Sequence, residues 1–396
     1  MSTISAATPQ RRLAFTLIGI GAASTAAHLG NNFTTYLIGG LMDRFGFSPT
    51  AMGAWNMAET LSYAAAMFLV APRARAMDAR ILALLATVLV ATAQASSALM
   101  TTYPLFFLGR IGTGLGFGIM NSAVNLAAGR TAHPTRSISM GIAFQTVMFA
   151  AINIGLPIIG KNYGVAGMFT ALAGLTLVLG LFAMMLPGGT GLDGDAASFE
   201  PKAPIGAEGR RVLVAMALFA FGTLAIWPFM ERTAHAIGLP ATQFGRYQSL
   251  ATLLSALGNA GLAVVVKRLP RTWPLAAALG ACGLACALLT TVSSEAAFAV
   301  ALVAFNVTWF LTYPLLLGLA YSIDSSGRLA VMTTGTWLLS QSFGSLAAGG
   351  IAQNFGGYTL IGPMGALICL ASIAVAMPIA KRLDGSSPEP GRPLVE

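Results

Sequence analysis

Residues 187–211 read PGGTGLDGDAASFEPKAPIGAEGRR, and this polar interval decides how the rest of the chain is parsed. Its glycines, prolines and acids favour open, flexible chain over packed structure. On either side the sequence turns strongly apolar. Of 396 residues, 56% are hydrophobic and only 9% are charged, whereas a soluble globular domain carries roughly 25% charged residues. So few charges cannot cover a water-facing surface. The apolar residues also come in long runs, not in the short alternating bursts of a barrel. A hydrocarbon core about 30 Å thick takes roughly 20 apolar residues per helix. Helix is required there because lipid offers the backbone no hydrogen-bond partner.

Working outward from the interval, turn and charge signals mark six spans before it, at 13–38, 50–70, 81–100, 105–128, 137–160 and 165–186. Six more follow, at 211–237, 245–266, 273–291, 296–320, 329–353 and 358–380. The expected organisation is an N-terminal six-helix bundle over 1–186, a cytoplasmic linker over 187–211, and a C-terminal bundle with a short cytoplasmic tail over 212–396. The apolar stretch after Arg11 and Arg12 runs through Leu37, too long for a signal-peptide core, and reads as the first span. Basic residues set the orientation. With a cytoplasmic N-terminus, the inner segments hold Arg11, Arg12, Arg73, Arg75, Arg80, Arg130, Arg136, Lys202, Arg210, Arg211, Lys267, Arg268, Arg271, Arg328, Lys381, Arg382 and Arg392. The outer segments hold Arg44, Lys161, Arg232 and Arg246. Both termini are therefore expected in the cytoplasm, with the chain crossing the inner membrane many times.

The net charge of +9 then reflects topology, and no nucleic-acid partner is expected. Cys282, Cys286 and Cys369 lie in apolar runs, and His28, His133 and His235 are scattered. That pattern offers neither a disulfide framework nor a metal cluster. No phosphate-binding GxxxxGK[ST] motif occurs, which excludes ATP-driven transport by this chain alone. No cofactor is called for. Acid, base and nucleophile do not converge anywhere, so the chain is not expected to be an enzyme.

Helix 4 carries Arg110-Ile-Gly-Thr-Gly114-Leu-Gly116-Phe-Gly118, an intramembrane arginine followed by glycines at helical spacing. Helix 5 ends Gly155-Leu-Pro157-Ile-Ile-Gly160, and the loop between helices 2 and 3 reads APRARAMDAR. Together with two six-helix halves and a cytoplasmic linker, these features resemble the major facilitator superfamily over nearly the whole chain. The helix 4 pattern is similar to the family's Arg-x-x-x-Gly element. The loop keeps the family's charges but loses its glycines. The helix 5 stretch keeps Pro157 and Gly160 of an antiporter element while Leu156 and Lys161 depart from it. The resemblance implies an all-α membrane protein of about twelve transmembrane helices in two six-helix bundles of inverted repeats, with a site between them near the midplane. It also implies a role for Arg110 in proton coupling.

An ionisable side chain inside the membrane costs roughly 2.5–3.5 kcal/mol on the insertion scale, so it needs a partner or a wet cavity. Helix 1 carries Ser24, His28, Asn31 and Thr35 on one face, and helix 2 carries Asn56, Glu59 and Tyr63. Helix 4 follows Arg110 with Asn121 and Asn125. Helix 7 gives Trp227, Glu231 and His235; helix 8 gives Gln248, Thr252, Ser255 and Asn259; helix 10 gives Asn306, Trp309 and Tyr313; helix 11 adds Gln341. Facing one another, such stripes would line an aqueous path. A rise of about 1.5 Å per residue puts Glu59 and His28 roughly 15 Å below the outer surface, and Arg110, Asn31 and Glu231 roughly 10 Å below it. Two layers are therefore expected.

Glu59 is the expected proton-coupling residue, since burial opposes its ionisation and Arg110 favours it. The bland alternative is a static Glu59–Arg110 pair locking helices 2 and 4. Glu231 and Arg232 read equally as an outer gate or as interfacial anchors, and His28 as a packing histidine or a substrate contact. Trp227, Trp309, Phe310 and Tyr313 suit either packing or stacking on a planar substrate. The expected function is proton-coupled carriage of a small organic molecule, an aromatic or other organic acid suiting the path. Efflux of drugs or metabolites and a non-transporting membrane sensor are the alternatives. The expected partners are substrate, protons and membrane lipid. One chain holds both halves, so no oligomer is required.

Overall fold

The computed structural model describes residues 9–70, 73, 76–131, 134–189, 205–265, 269–324 and 328–385. The middle of the expected linker (190–204), the tail beyond 385, and Arg75, His133, Lys202, Lys267, Arg268 and Arg392 lie outside the described residues. Within them every regular element is helical. The fold is an all-α membrane protein of about twelve transmembrane helices in two six-helix bundles.

Seven helical stretches are long and apolar enough to cross a membrane, one of them, Arg136–Ala183, being long enough for two passes. Four further helices are just as long: α3 (Pro49–Val70), α5 (Tyr103–Gly129), α9 (Ala241–Val265) and α12 (Arg328–Asn354). Their glycines and polar side chains lower their hydropathy. These are the second, fourth, eighth and eleventh spans, and they carry Glu59, Arg110, Gln248 and Gln341.

By internal contacts the chain divides into two compact units, Met1–Phe199 with Ala241–Ser249, and Glu200–Pro240 with Leu250–Glu396. In the first unit, the expected first span is two helices, α1 (Pro9–Ala27) and α2 (Leu29–Phe45), parted at His28, whose ψ of 7° leaves the helical range. α4 covers Ala79–Ser97. Spans 5 and 6 form one continuous run, α6 (Pro134–Ala183), folded back at Gly164, where a φ of 64° suits a residue without a Cβ. α3 and α5 pack with little between them. A Cβ at Gly114 would fall on Ser62 Oγ and the Glu59 carbonyl, and one at Gly118 on the Tyr63 carbonyl. Lipid tails are as apolar as leucine, so helices in a bilayer are held by such close dispersion contact and by polar bonds.

In the second unit the expected seventh span also breaks. α7 (Ala207–Leu224) starts four residues before the expected 211, and a 3-10 turn at Trp227–Phe229 separates it from α8 (Met230–Ala236). Pro228 lies in that turn, where its ring sets φ and its missing N–H costs least. α10 (Thr272–Thr291), α11 (Glu295–Ile323) and α13 (Ile361–Gly385) complete the unit with α12. Gly344 of α12 lies where a Cβ would come 2.6 Å from the Phe221 carbonyl of α7. Cys282, Cys286 and Cys369 are buried and free.

Both units fasten helix starts with carboxylates. Asp78 caps α4, accepting from the backbone N–H of Arg80 at 2.7 Å and from that of Gly189 beyond α6. In the second unit, Asp384 on the last turn of α13 accepts from the N–H groups of Arg271 (2.7 Å) and Thr272 (2.9 Å) at the start of α10. Partial burial pushes the Asp78 carboxyl up, but the N–H groups of Gly189, Arg80 and Ile81 and the Arg80 charge outweigh it and hold the group below its ordinary value. Asp384 behaves alike: burial raises it, and the Thr272 hydroxyl, the two N–H groups and the Arg271 charge bring it lower.

Candidate functional site

In the first unit, α3 and α5 bring Glu59 and Arg110 into direct contact, Nη1 to Oε2 at 2.7 Å, with both side chains at most 2% exposed. An acid and an arginine expected at different depths therefore meet through their side chains. Helix spacing assembles the surroundings. Trp55 stands one turn before Glu59 on α3, and its ring lies under the guanidinium, 3.8 Å from Cζ to centroid. Its indole N–H donates to the Phe106 carbonyl at 3.0 Å, which fixes the ring. Thr113, three residues after Arg110 on α5, donates to Glu59 Oε2 at 2.9 Å. From α2, the Thr34 hydroxyl accepts from Arg110 Nη2 at 2.6 Å and donates to Asn56 Oδ1 at 3.0 Å.

The assembly is shut off from solvent. Three of its atoms are buried without a hydrogen-bond partner: Glu59 Oε1, Arg110 Nε and Arg110 Nη1, the last facing Glu59 Oε2 across the ion pair. Gly30, just past the break at His28, lets the carboxylate in, since a Cβ there would fall on Phe117 and on both Glu59 carboxylate oxygens. His28 stands two residues before Gly30, at the break between α1 and α2. His28 Nδ1 lies 2.9 Å from the Ser24 carbonyl, a bond in which the ring must be the donor, and the ring stands 6.3 Å from that of Tyr63. Asn121 donates to Met67 Sδ at 3.5 Å. Asn31 is half-buried on α2, and Gln248 is buried on the part of α9 that groups with the first unit.

The second unit holds a cluster of rings. Trp309 and Tyr313, one turn apart on α11, stack at 5.9 Å with planes 9° apart. Trp309 donates to Thr223 Oγ1 of α7 at 3.2 Å and stacks on Phe219 at 5.9 Å. Tyr313 Oη lies 3.3 Å from Thr334 Oγ1 of α12. Asn306 is buried and donates back to the Leu302 carbonyl of its own helix. Glu231 is buried on α8 with Arg232 Nη1 at 3.9 Å, Gln341 is buried on α12, and Trp227 opens the 3-10 turn half-exposed.

Sequence reasoning named Asn56, Glu59, Arg110, Trp309 and Tyr313, which the structure gathers into these two clusters. It missed Thr34, Trp55, Thr113, Gly30 and Trp337. Trp55 and Thr113 stand at i, i+4 and i, i+3 from the named charges, a spacing that places them on the same helix face. Nothing local marks Trp337.

Fold and clusters define a polytopic helical carrier with a buried charge pair in its first half. The family model of the Major Facilitator Superfamily matches residues 18–334. The chain belongs to that superfamily. No curated protein matches it by sequence. Among solved structures it is similar to the nucleoside transporter NupG (TM-score 0.71, 12% identity, 94% of this chain and 98% of that one). It is also similar to the human organic anion transporter MFSD10 (TM-score 0.63, 16% identity, 93% and 100%) and to a D-xylose-proton symporter (TM-score 0.70, 12% identity, 91% and 97%). At these identities the likeness concerns the fold.

Proposed function

We propose that this transporter moves a small organic acid across the inner membrane by alternating access, coupled to protons through Glu59 and Arg110. The observation that carries the reading is the dry Glu59–Arg110 pair with one carboxylate oxygen left unpartnered. Taking the negative charge off such a pair leaves a buried, uncompensated cation, and breaking a buried pair costs about 3–5 kcal/mol. Protonation of Glu59 is therefore unfavourable unless another anion takes its place on Arg110. A carboxylate substrate supplies that anion. Proton and substrate then bind with mutual preference, which is what thermodynamic coupling requires. Relatives in fold whose names include a proton symporter and an organic anion transporter support both halves of the proposal.

The test is proton flux in proteoliposomes holding a trapped pH dye, wild type against Glu59→Gln, with aromatic acids, sugars and lipophilic cations offered in turn. Substrate-evoked flux with aromatic acids, abolished by Glu59→Gln, is the expected result. Coupled flux that survives the substitution overturns the role of Glu59. Flux evoked by lipophilic cations instead of acids moves the reading to efflux.

A further inference from the structure

We infer that the ring cluster of α7, α11 and α12 is a subsite for a planar aromatic ring bearing a hydrogen-bond acceptor, with Trp337 as the donor that selects it. The inference deepens the transport reading and rests on it for the claim that the bound ring belongs to the cargo. Trp337 stands on α12 with its ring 6.2 Å from that of Trp309 and 5.5 Å from that of Tyr313, tilted by 50° and 59°. Two parallel faces and one inclined face thus converge from two helices. Aromatic pairs favour offset or edge-to-face arrangements at such separations, so a further flat ring has both kinds of partner available.

Three features separate this cluster from ordinary packing. The first is depth. Trp309 stands 14 residues into a helix of 29, midway along α11, whereas Trp and Tyr anchors in membrane helices gather as belts at the water interfaces. The second is exposure. Phe219 behind the cluster is fully buried, but Trp309, Tyr313 and Trp337 are each only half-buried, so part of each ring stays accessible.

The third is hydrogen bonding. Trp309 gives its indole N–H to Thr223, and Tyr313 is paired with Thr334, so both rings are held in place. Trp337 Nε1 is buried without any partner. An indole nitrogen only donates, and buried donors are otherwise almost always paired. The missing acceptor is assigned to the ligand: a ring nitrogen or carbonyl oxygen in the plane of a bound aromatic system. A small turn of the Trp337 ring brings its N–H to that acceptor while the other two rings stay fixed.

The test uses the full purified chain and three probes of matched size: quinoline-3-carboxylate, 2-naphthoate and decahydro-2-naphthoate, titrated by calorimetry. All carry a carboxylate, so they differ in the ring alone. Wild type should bind quinoline-3-carboxylate about tenfold more tightly than 2-naphthoate, the gain expected of one buried hydrogen bond. Decahydro-2-naphthoate should bind most weakly. In Trp337→Phe the quinoline-to-naphthoate ratio should fall to about one, with naphthoate still preferred over its saturated form.

Equal binding of the aromatic and saturated acids, or binding of none of them, overturns the subsite. A ratio that survives Trp337→Phe overturns the role of its N–H. The wild-type comparison stands by itself should the variant fold poorly. Repeating the titrations in Glu59→Gln separates the two proposals, because that residue lies in the other unit. In wild type, ring preference without proton flux sinks the coupling and leaves the subsite, and flux without ring preference does the reverse; in Glu59→Gln, ring preference should persist while flux is lost.

Discussion

The two units handle polarity inside the membrane by opposite means. The first concentrates it in a pair of formal charges, bonded from three helices and shut off from solvent. The second carries half-exposed rings, two of which have their polar tips tied to threonines. A charge pair is stiff and unforgiving: its energy depends on both partners being present, and removing either leaves an orphan that no neighbour can solvate. Rings tolerate displacement, because dispersion and quadrupole contacts change slowly with position. The difference is the basis of the division of labour proposed above, with a switch in one half and a selective surface in the other.

The sharpest way to break that contrast is Arg110→Ala. It leaves Glu59 buried against Gly30 and Phe117 with no cation, and should destabilise the protein by about 3–5 kcal/mol. The pair replaced together, Glu59→Gln with Arg110→Met, should recover most of that loss while flux stays absent. Thermal unfolding in detergent beside the proteoliposome assay reads both. If the double variant is as unstable as the single one, the orphan-charge account is wrong.

Next in size is Gly30→Ala, whose methyl group would intrude on Glu59 and Phe117. Overpacking of this kind costs about 1–3 kcal/mol, and the displaced carboxylate should uncouple proton from substrate. Gly318→Ala on α11 meets nothing within 4 Å and should be neutral or slightly stabilising by comparison. Helix propensity favours alanine at both positions, so similar losses at both glycines would mean that the clash with the carboxylate does not set the effect.

Thr223→Val tests the second unit. Removing the acceptor of the Trp309 indole should cost about 1–3 kcal/mol, the penalty for an orphaned buried donor, and should broaden aromatic selectivity without abolishing flux. A loss of all transport would make the cluster a switch after all.

The smallest expected effect concerns pH. Asp78 and Asp384 are held below their ordinary values when folded. Their contribution to stability is thus fully present above the unfolded carboxylate value of about 3.9 and fades as pH falls through the lower folded one. Asp384→Asn should flatten the acid limb of the stability profile and lower stability at neutral pH, where the carboxylate's contribution is fully present. A wild-type acid limb that survives the substitution would contradict this.

How far the sequence carried depended on whether the signal was local. Spans were legible because bilayer thickness imposes a length that apolar runs reveal directly. Breaks at His28 and around Trp227 were not, since the hydropathy of both runs continues through them. Glu59 and Arg110 were legible as rare charges in apolar helices. Their pairing was legible only as one of two readings, because counting residues locates the backbone and ignores the reach of a long side chain. Trp337 was invisible for a related reason: its meaning lies in a missing bond, and absence of a partner is a property of three dimensions.

Asp384 has a practical corollary for anyone handling the protein. It stands one residue before Gly385, where the last helix ends, yet it fastens the start of α10, more than a hundred positions earlier. A purification handle or fluorescent fusion joined after Gly385 leaves that fastening whole. One joined two residues sooner removes it and unseats a distant helix, so a failed fusion there would report a lost cap, not an intolerance of cargo at this end.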